Sequence, residues 1–168
     1  MRKVEVVKHS PEWQNLFKEE SQSITKALKE NVIAIHHIGS TAIAGIYAKP
    51  IIDLLVEVNN INKVYRSNKD MTKLGYEAMG EFGIPGRRFF RKNNAFGIRT
   101  HHVHVFEINS PEVKRHLAFR DYIIAHPAEA KQYSDLKQKL AKQFPEDIES
   151  YMDGKDEFIK NIDRKATR

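Results

Sequence analysis

The sequence predicts an α+β protein, with a mixed β-sheet that has helices packed on one side. Two observations predict this class. The first half is rich in predicted strands that end in small or glycine-rich turns, and the second half carries helical spacing to its end. Composition agrees, because 40% hydrophobic and 30% charged residues are typical of a globular protein. With 168 residues, we expect a single domain over 1–168.

The first elements follow from start signals and periodicity. Ser10 as N-cap and Pro11 at the first helical position predict a helix. Its apolar face comprises Trp13, Leu16, Phe17, Ile24 and Leu28. Residues 32–38 predict a strand that ends in the small residues 39–41. Residues 51–58 predict a second strand, which is apolar enough to be central.

The middle and the end of the chain differ in character. Residues 61–74 have helical spacing, and glycines then punctuate short segments. Residues 87–92 and 100–107 predict a hairpin joined around Asn93-Asn94. Three further helices are predicted to start at Ser110-Pro111, His126-Pro127 and Phe144-Pro145.

Composition also excludes some classes of site. There is no cysteine, so disulfides and thiolate metal sites are excluded. No apolar run approaches roughly 18 residues and no signal-peptide core is present, so we expect a cytoplasmic protein without a membrane partner. A net charge of +6 suits anionic partners such as nucleotides or nucleic acid, although the dispersed basic residues also fit an ordinary solvated surface.

Six segments in chain order resemble the GrpB-like family. They are HHIGSTA at 36–42, AKPIIDL at 48–54, GIPGRRFF at 83–90, THHVHVF at 100–106, RHLAFRDY at 115–122 with His126-Pro127 beyond it, and YMDGKDEFI at 151–159. The resemblance covers nearly the whole chain. It implies a nucleotidyltransferase-like fold, in which a mixed β-sheet carries helices and is followed by a helical C-terminal half.

The resemblance also implies a phosphate-binding turn and a metal-binding pair of acids on the next strand. Gly39, Ser40 and Thr41 match the turn, and Asp53 matches one acid of an Asp-x-Asp pair. Apolar residues stand at both positions where the second acid belongs. The next acid on that strand face, Glu57, is roughly 13 Å away along the strand. The missing partner argues against ordinary two-metal catalysis.

Asp53, His102 and His104 are the predicted catalytic centre. If Val103 and Val105 face the core, strand alternation directs both imidazoles to a cleft. A set of two histidines and one aspartate would favour zinc, manganese or iron, whereas the family pattern implies magnesium. The alternatives are imidazoles that only form hydrogen bonds, and an Asp53 that holds the Gly-Ser turn.

Six basic residues are predicted to bind substrate or phosphate: Lys49, Arg87, Arg88, His116, Arg120 and Lys155. The two arginines follow a glycine-rich turn and have the fork geometry that binds phosphate. His116 and Arg120 share a helix face. Lys155 lies within the apolar stripe of the last helix. Solvated arginines, a salt-bridged helix flank and a lysine that extends to solvent are the alternatives.

Together these residues predict a nucleotidyltransferase-like enzyme that acts on a nucleotide or another phosphorylated small molecule, with a divalent metal (Mg, Mn or Zn). The alternative is a non-catalytic nucleotide- or anion-binding domain that has lost the metal-binding Asp pair. Charge alone suggests RNA as a further partner, and the sequence does not predict an oligomeric state.

Overall fold

Five strands form one mixed sheet in the computed structural model, which describes residues 3–167. They are β1 (Val32–Ile38), β2 (Ile52–Val58), β3 (Tyr76–Ala78), β4 (Arg88–Asn93) and β5 (Arg99–Glu107). The order is β1-β2-β5-β4-β3. The β2–β5 pair is parallel and the other neighbouring pairs are antiparallel. The predicted mixed sheet and the β4–β5 hairpin are therefore confirmed.

The α-helices of the described chain are α1 (Glu12–Leu28), α2 (Asn68–Lys73), α3 (Pro111–Ala125), α4 (Pro127–Gln143) and α5 (Ile148–Ala166). A 3₁₀ segment, Ile61–Ser67, leads into α2. The helical C-terminal half is confirmed. No helix within residues 3–167 is long and apolar enough to cross a membrane.

Two helix starts differ from the prediction. Helix α1 begins at Glu12, one residue late, although the Ser10 hydroxyl oxygen still accepts the Glu12 N–H at 3.3 Å. Helix α5 begins at Ile148 rather than near Pro145, because the Asp147 carboxylate accepts the Ser150 N–H at 3.1 Å and its hydroxyl at 2.6 Å. An aspartate N-cap stabilises a helix start because its carboxylate accepts an otherwise unpaired N–H of the first turn.

Helices contact both faces of the sheet, so the prediction that they pack on one side is wrong. One face, which includes Leu54, packs against α1, and the opposite face, which includes Leu55, packs against Val113 of α3. Both leucines are fully buried. A central strand that is apolar on both faces has to be covered on both.

The C-terminal helices share a core with the segment that follows the Gly-Ser turn. Its buried members are Ile43, Ile46, Ile123, Ala130, Tyr133 and Ile162. This packing holds α4 and α5 beside the ends of β1 and β2. A polar cleft is left between those helices and the sheet.

Candidate functional site

A cleft of about 250 Å³ lies beside the Gly-Ser turn. Its lining residues come from the turn, the segment before β2, the strands β2 and β5, and the helices α4 and α5. They are Gly39, Ser40, Thr41, Lys49, Ile51, Asp53, His102, His104, Tyr133, Lys137, Tyr151, Met152 and Lys155. Most of the predicted site residues therefore meet in one place.

The parallel β2–β5 pairing brings Asp53 to two histidines. Asp53 lies opposite His102, and Leu55 lies opposite His104. Asp53 Oδ1 is 3.4 Å from His102 Nδ1 and 3.2 Å from His104 Nε2. The three side chains open into the same cleft, as strand alternation predicts.

Two arginines fix the protonation of these imidazoles. Arg99 Nη1 donates to His102 Nε2 at 3.1 Å, and Arg87 Nη1 donates to His104 Nδ1 at 3.3 Å. A guanidinium can only donate, so each accepting nitrogen presents a lone pair and the proton is on the other nitrogen. Both histidines thus direct an N–H towards Asp53. Burial lowers the pKa of His102, which favours this neutral form.

Asp53 is an ionised carboxylate at neutral pH. Burial acts to raise its pKa, but hydrogen bonds from His102 and His104 outweigh burial and hold the pKa well below its usual range. Its other oxygen, Oδ2, lies against the turn. It is so close that a Cβ on Gly39 would be only 2.6 Å from it. Gly39 also has a φ of +73°, which favours glycine. Asp53 is therefore bound to β5 and packed against the Gly39-Ser40 turn.

Asp53, His102 and His104 do not fit the divalent metal that the family resemblance implies. Within residues 3–167, no three His, Asp or Glu side chains are placed to hold a metal ion. The lone pairs of His102 and His104 face guanidinium groups, which repel cations. Asp53 has no second carboxylate beside it, since Ile51 and Leu55 occupy those positions.

A buried lysine, Lys137 of α4, contacts the Ser40 hydroxyl in the turn. Its side chain is only 2% exposed, and Nζ lies 4.3 Å from the centre of the Tyr133 ring. Burial, followed by the ammonium groups of Lys155 and Lys49, lowers the pKa of Lys137 well below its ordinary value. The Ser40 hydroxyl thus faces an amine that holds its proton weakly.

Lys155 of α5 faces the cleft from another side and is 6% exposed. The Tyr151 ring centre lies 4.7 Å from Lys155 Nζ and 5.3 Å from Lys49 Nζ. Burial, and then the charge of Lys49, lowers the pKa of Lys155 to about 7. Among the described residues, neither Lys137 nor Lys155 forms a salt bridge with an acid.

The sequence analysis missed Lys137, although a signal for it exists. Ala130, Tyr133, Lys137 and Leu140 follow one another at helical intervals of three or four, and all four are buried. This pattern is the one that singles out Lys155 on α5. Arg99 was also missed, and nothing in the sequence indicates that it contacts His102.

Arg87 and Arg88 do not line the cleft. The Arg87 guanidinium donates to the carbonyl oxygens of Glu81 and Phe82, at 3.2 and 2.9 Å, as well as to His104. Arg88 lies opposite Val105 on the other face of the sheet. Arg87 therefore holds the His104 ring through Nδ1, while Nε2 of the same ring faces Asp53.

His116 and Arg120 also lie outside the cleft lining. The His116 ring is 5.9 Å from that of His104, and burial, with Arg115 beside it, lowers the pKa of His116 to about 4. Arg120 Nη1 donates to the carbonyl oxygen of His37 at 3.1 Å, which ties α3 to β1. Both residues stabilise the walls of the site.

The chain has relatives among known proteins. The sequence matches the GrpB protein family over residues 3–165. The UPF0157 protein YqkA of Bacillus subtilis is 47% identical over 167 residues, which cover 99% of this chain and 48% of YqkA. The chain thus spans about half the length of that relative. The glutamate-rich protein GrpB of Alkalihalophilus pseudofirmus is 38% identical over 160 residues, covering 94% of this chain and 92% of that protein.

Among solved structures, the conserved protein GrpB from Enterococcus faecalis has a TM-score of 0.92 at 46% identity and covers 96% of both chains. Likeness to the Cid1 poly(U) polymerase is much weaker. Its TM-score is 0.48 at 12% identity, over 78% of this chain and 45% of that one, which is too low to support an argument. The family match along almost the entire sequence, together with these relatives, shows that the chain belongs to the GrpB family.

Proposed function

We propose that the cleft binds the phosphate groups of a nucleotide or of another phosphorylated small molecule. The observation that supports this most directly is the position of Lys137 and Lys155. Both are buried, both face the cleft, and no acid among the described residues forms a salt bridge with either.

Burying two ammonium groups without a salt bridge to an acid is unfavourable. The pKa of each lysine is lowered by burial, although the Asp53 charge acts to raise it. A phosphate placed between them would restore both charges and accept their hydrogen bonds. Such charge-assisted contacts are worth about 1.5–3 kcal/mol each. The cleft contains one ionised acid, Asp53, against three lysines, and that acid already accepts two imidazole N–H groups.

The Gly-Ser turn lines the cleft beside these lysines. The missing side chain at Gly39 leaves room for the Asp53 carboxylate, whereas backbone N–H groups of a turn of this kind can donate to a phosphate oxygen. Ser40 offers a hydroxyl at the same place, beside Lys137. Lys49 reaches the cleft from the segment before β2, so the positive charges come from three separate elements.

Nucleotidyl transfer is the second candidate function. It is favoured by the position of Asp53, an ionised acid on the strand after the Gly-Ser turn, which is where the family resemblance implies one catalytic acid. The absence of a second carboxylate favours the non-catalytic alternative. We therefore propose anion binding as the function of this site, and nucleotidyl transfer is the second candidate for the same residues.

Calorimetric titration with ATP, GTP, CTP and UTP, with and without Mg²⁺, Mn²⁺ or Zn²⁺, tests this proposal. We expect metal-independent binding by the wild type and, in the Lys137→Met/Lys155→Met double variant, a loss on the order of 100-fold or more. Lys139→Met is the matched control, because Lys139 is an exposed lysine on the same helix.

The outcomes separate the candidates. No binding by the wild type, or equal affinity in the double variant, would refute the proposal. Release of pyrophosphate that requires a metal would establish transfer as the activity. Tighter binding of single-stranded RNA than of nucleotides, with a steep dependence on salt, would instead indicate RNA as the ligand.

A further inference from the structure

A second cavity, of about 590 Å³, adjoins the cleft beside the Gly-Ser turn. We call it the hairpin groove, because the turn of the β4–β5 hairpin forms one wall. Lys49, Pro50, Ile51, Phe96, Ile98 and Arg99 line it, and Lys3 and Glu5 of the N-terminal segment line it as well. Lys49 and Ile51 also line the cleft, so the two cavities share a boundary.

The wall formed by the hairpin turn presents apolar side chains to solvent. Phe96 is 88% exposed and Ile98 is 60% exposed. The turn itself is well bonded, since Asn94 Oδ1 accepts the N–H groups of Phe96 and Ile98 at 2.9 and 3.1 Å. The Asn94 N–H in turn donates to the Ile98 carbonyl at 2.8 Å. An exposed ring on an ordered turn is a surface suited to a flat partner.

We propose that the hairpin groove holds the base of a nucleotide whose phosphates occupy the cleft. This inference rests on the proposed function and specifies its substrate class. The shared residues Lys49 and Ile51 allow one molecule to extend from the lysines of the cleft to the ring of Phe96.

The chemistry of the groove matches a heteroaromatic ring. Phe96, Pro50 and Ile98 all line the groove, and the Phe96 ring offers a flat, apolar contact for a base. Arg99 lines the same groove, and the flat face of a guanidinium can stack on a ring. A small aliphatic phosphate ester would leave this surface uncovered.

Arg99 also connects the groove to the centre of the cleft. Its guanidinium donates to His102, and His102 lies against Asp53. A base in contact with Arg99 would therefore lie one side chain away from the imidazole that faces the ionised carboxylate.

The experiment compares a nucleotide with its phosphate portion alone. Wild type, Phe96→Ala and Phe96→Tyr are titrated by calorimetry with each of ATP, GTP, CTP and UTP, and with inorganic tripolyphosphate. We expect at least one nucleotide to bind more tightly than tripolyphosphate. Phe96→Ala should weaken that nucleotide about 5- to 100-fold, the range typical of lost stacking, without changing tripolyphosphate affinity. Phe96→Tyr should restore most of the loss.

Tyr65→Ala is the matched control, because Tyr65 is an aromatic residue that is 63% exposed and lines neither cavity. Thermal unfolding of each variant checks that the fold is retained. If tripolyphosphate binds but Phe96→Ala leaves nucleotide affinity unchanged, the inference is overturned and the proposed function stands. If neither tripolyphosphate nor any nucleotide binds the wild type, both fail.

Discussion

Replacing Lys155 by methionine is expected to stabilise the protein and to weaken anion binding at the same time. Burial lowers the pKa of Lys155 from the ordinary 10.5 to about 7. One pKa unit corresponds to about 1.4 kcal/mol, so the buried ammonium costs up to about 5 kcal/mol below pH 7. Methionine is similar in length and carries no charge, so it avoids this cost. Loss of the contact with Tyr151 offsets about 1–2 kcal/mol of the gain.

The stability gained by Lys155→Met should decrease as the pH rises. Between pH 7 and 10.5, unfolded chains keep a proton on Lys155 that the folded protein has released, so wild-type stability rises with pH in this range. The methionine variant lacks that dependence. We expect it to exceed wild type by about 3 kcal/mol at pH 6 and to be nearly equal to it at pH 9.

Urea unfolding of both proteins at pH 6, 7.5 and 9 measures the free energy of unfolding directly. Lys139→Met serves again as the control for an exposed charge, and its effect should stay within about 0.5 kcal/mol. A Lys155→Met variant that is less stable than wild type at pH 6 would show that the Lys155 charge is compensated in the folded protein. The reasoning about an uncompensated cation in the cleft would then be wrong.

The remaining predictions concern the same cleft. Nucleotide affinity should fall as the pH rises through about 7, because Lys155 loses its proton there, and calorimetry in buffers of different ionisation enthalpy should detect proton uptake on binding. Gly39→Ala should lower thermal stability and anion affinity by about 1–3 kcal/mol each, because its Cβ would be 2.6 Å from Asp53 Oδ2. Gly45→Ala, at a φ of +84° with no atom within 4 Å of its Cβ, should show the backbone strain alone and leave anion affinity unchanged. Asp53→Asn should keep the fold by circular dichroism but abolish any turnover and cost about 2 kcal/mol of stability at pH 7, since it removes the ionised acceptor of two imidazole N–H groups. Retained turnover in that variant would place the chemical centre elsewhere.

Part of the site follows from the sequence through backbone geometry alone. Alternate residues of a strand share a face, so His102 and His104 have to lie together once Val103 and Val105 are buried. Asp53 is identifiable as an acid in an otherwise apolar strand, and Gly39 as the residue of a tight turn. Lys155 stands out because helical spacing places it within an apolar stripe.

Other features depend on contacts between elements that are distant in sequence. The parallel β2–β5 register decides that Asp53 lies opposite His102, and the packing of α4 against the Gly-Ser turn decides that Lys137 is buried beside Ser40. The direction of Arg87 is set by the carbonyl oxygens of residues 81 and 82, which bind its guanidinium and turn it towards His104. The strands β1, β2, β4 and β5, the Gly-Ser turn and the residues that share a strand face can be predicted from the sequence, because they follow from local backbone geometry. Which basic side chains reach the cleft depends on the tertiary structure, because long flexible side chains take their direction from the partners that packing provides.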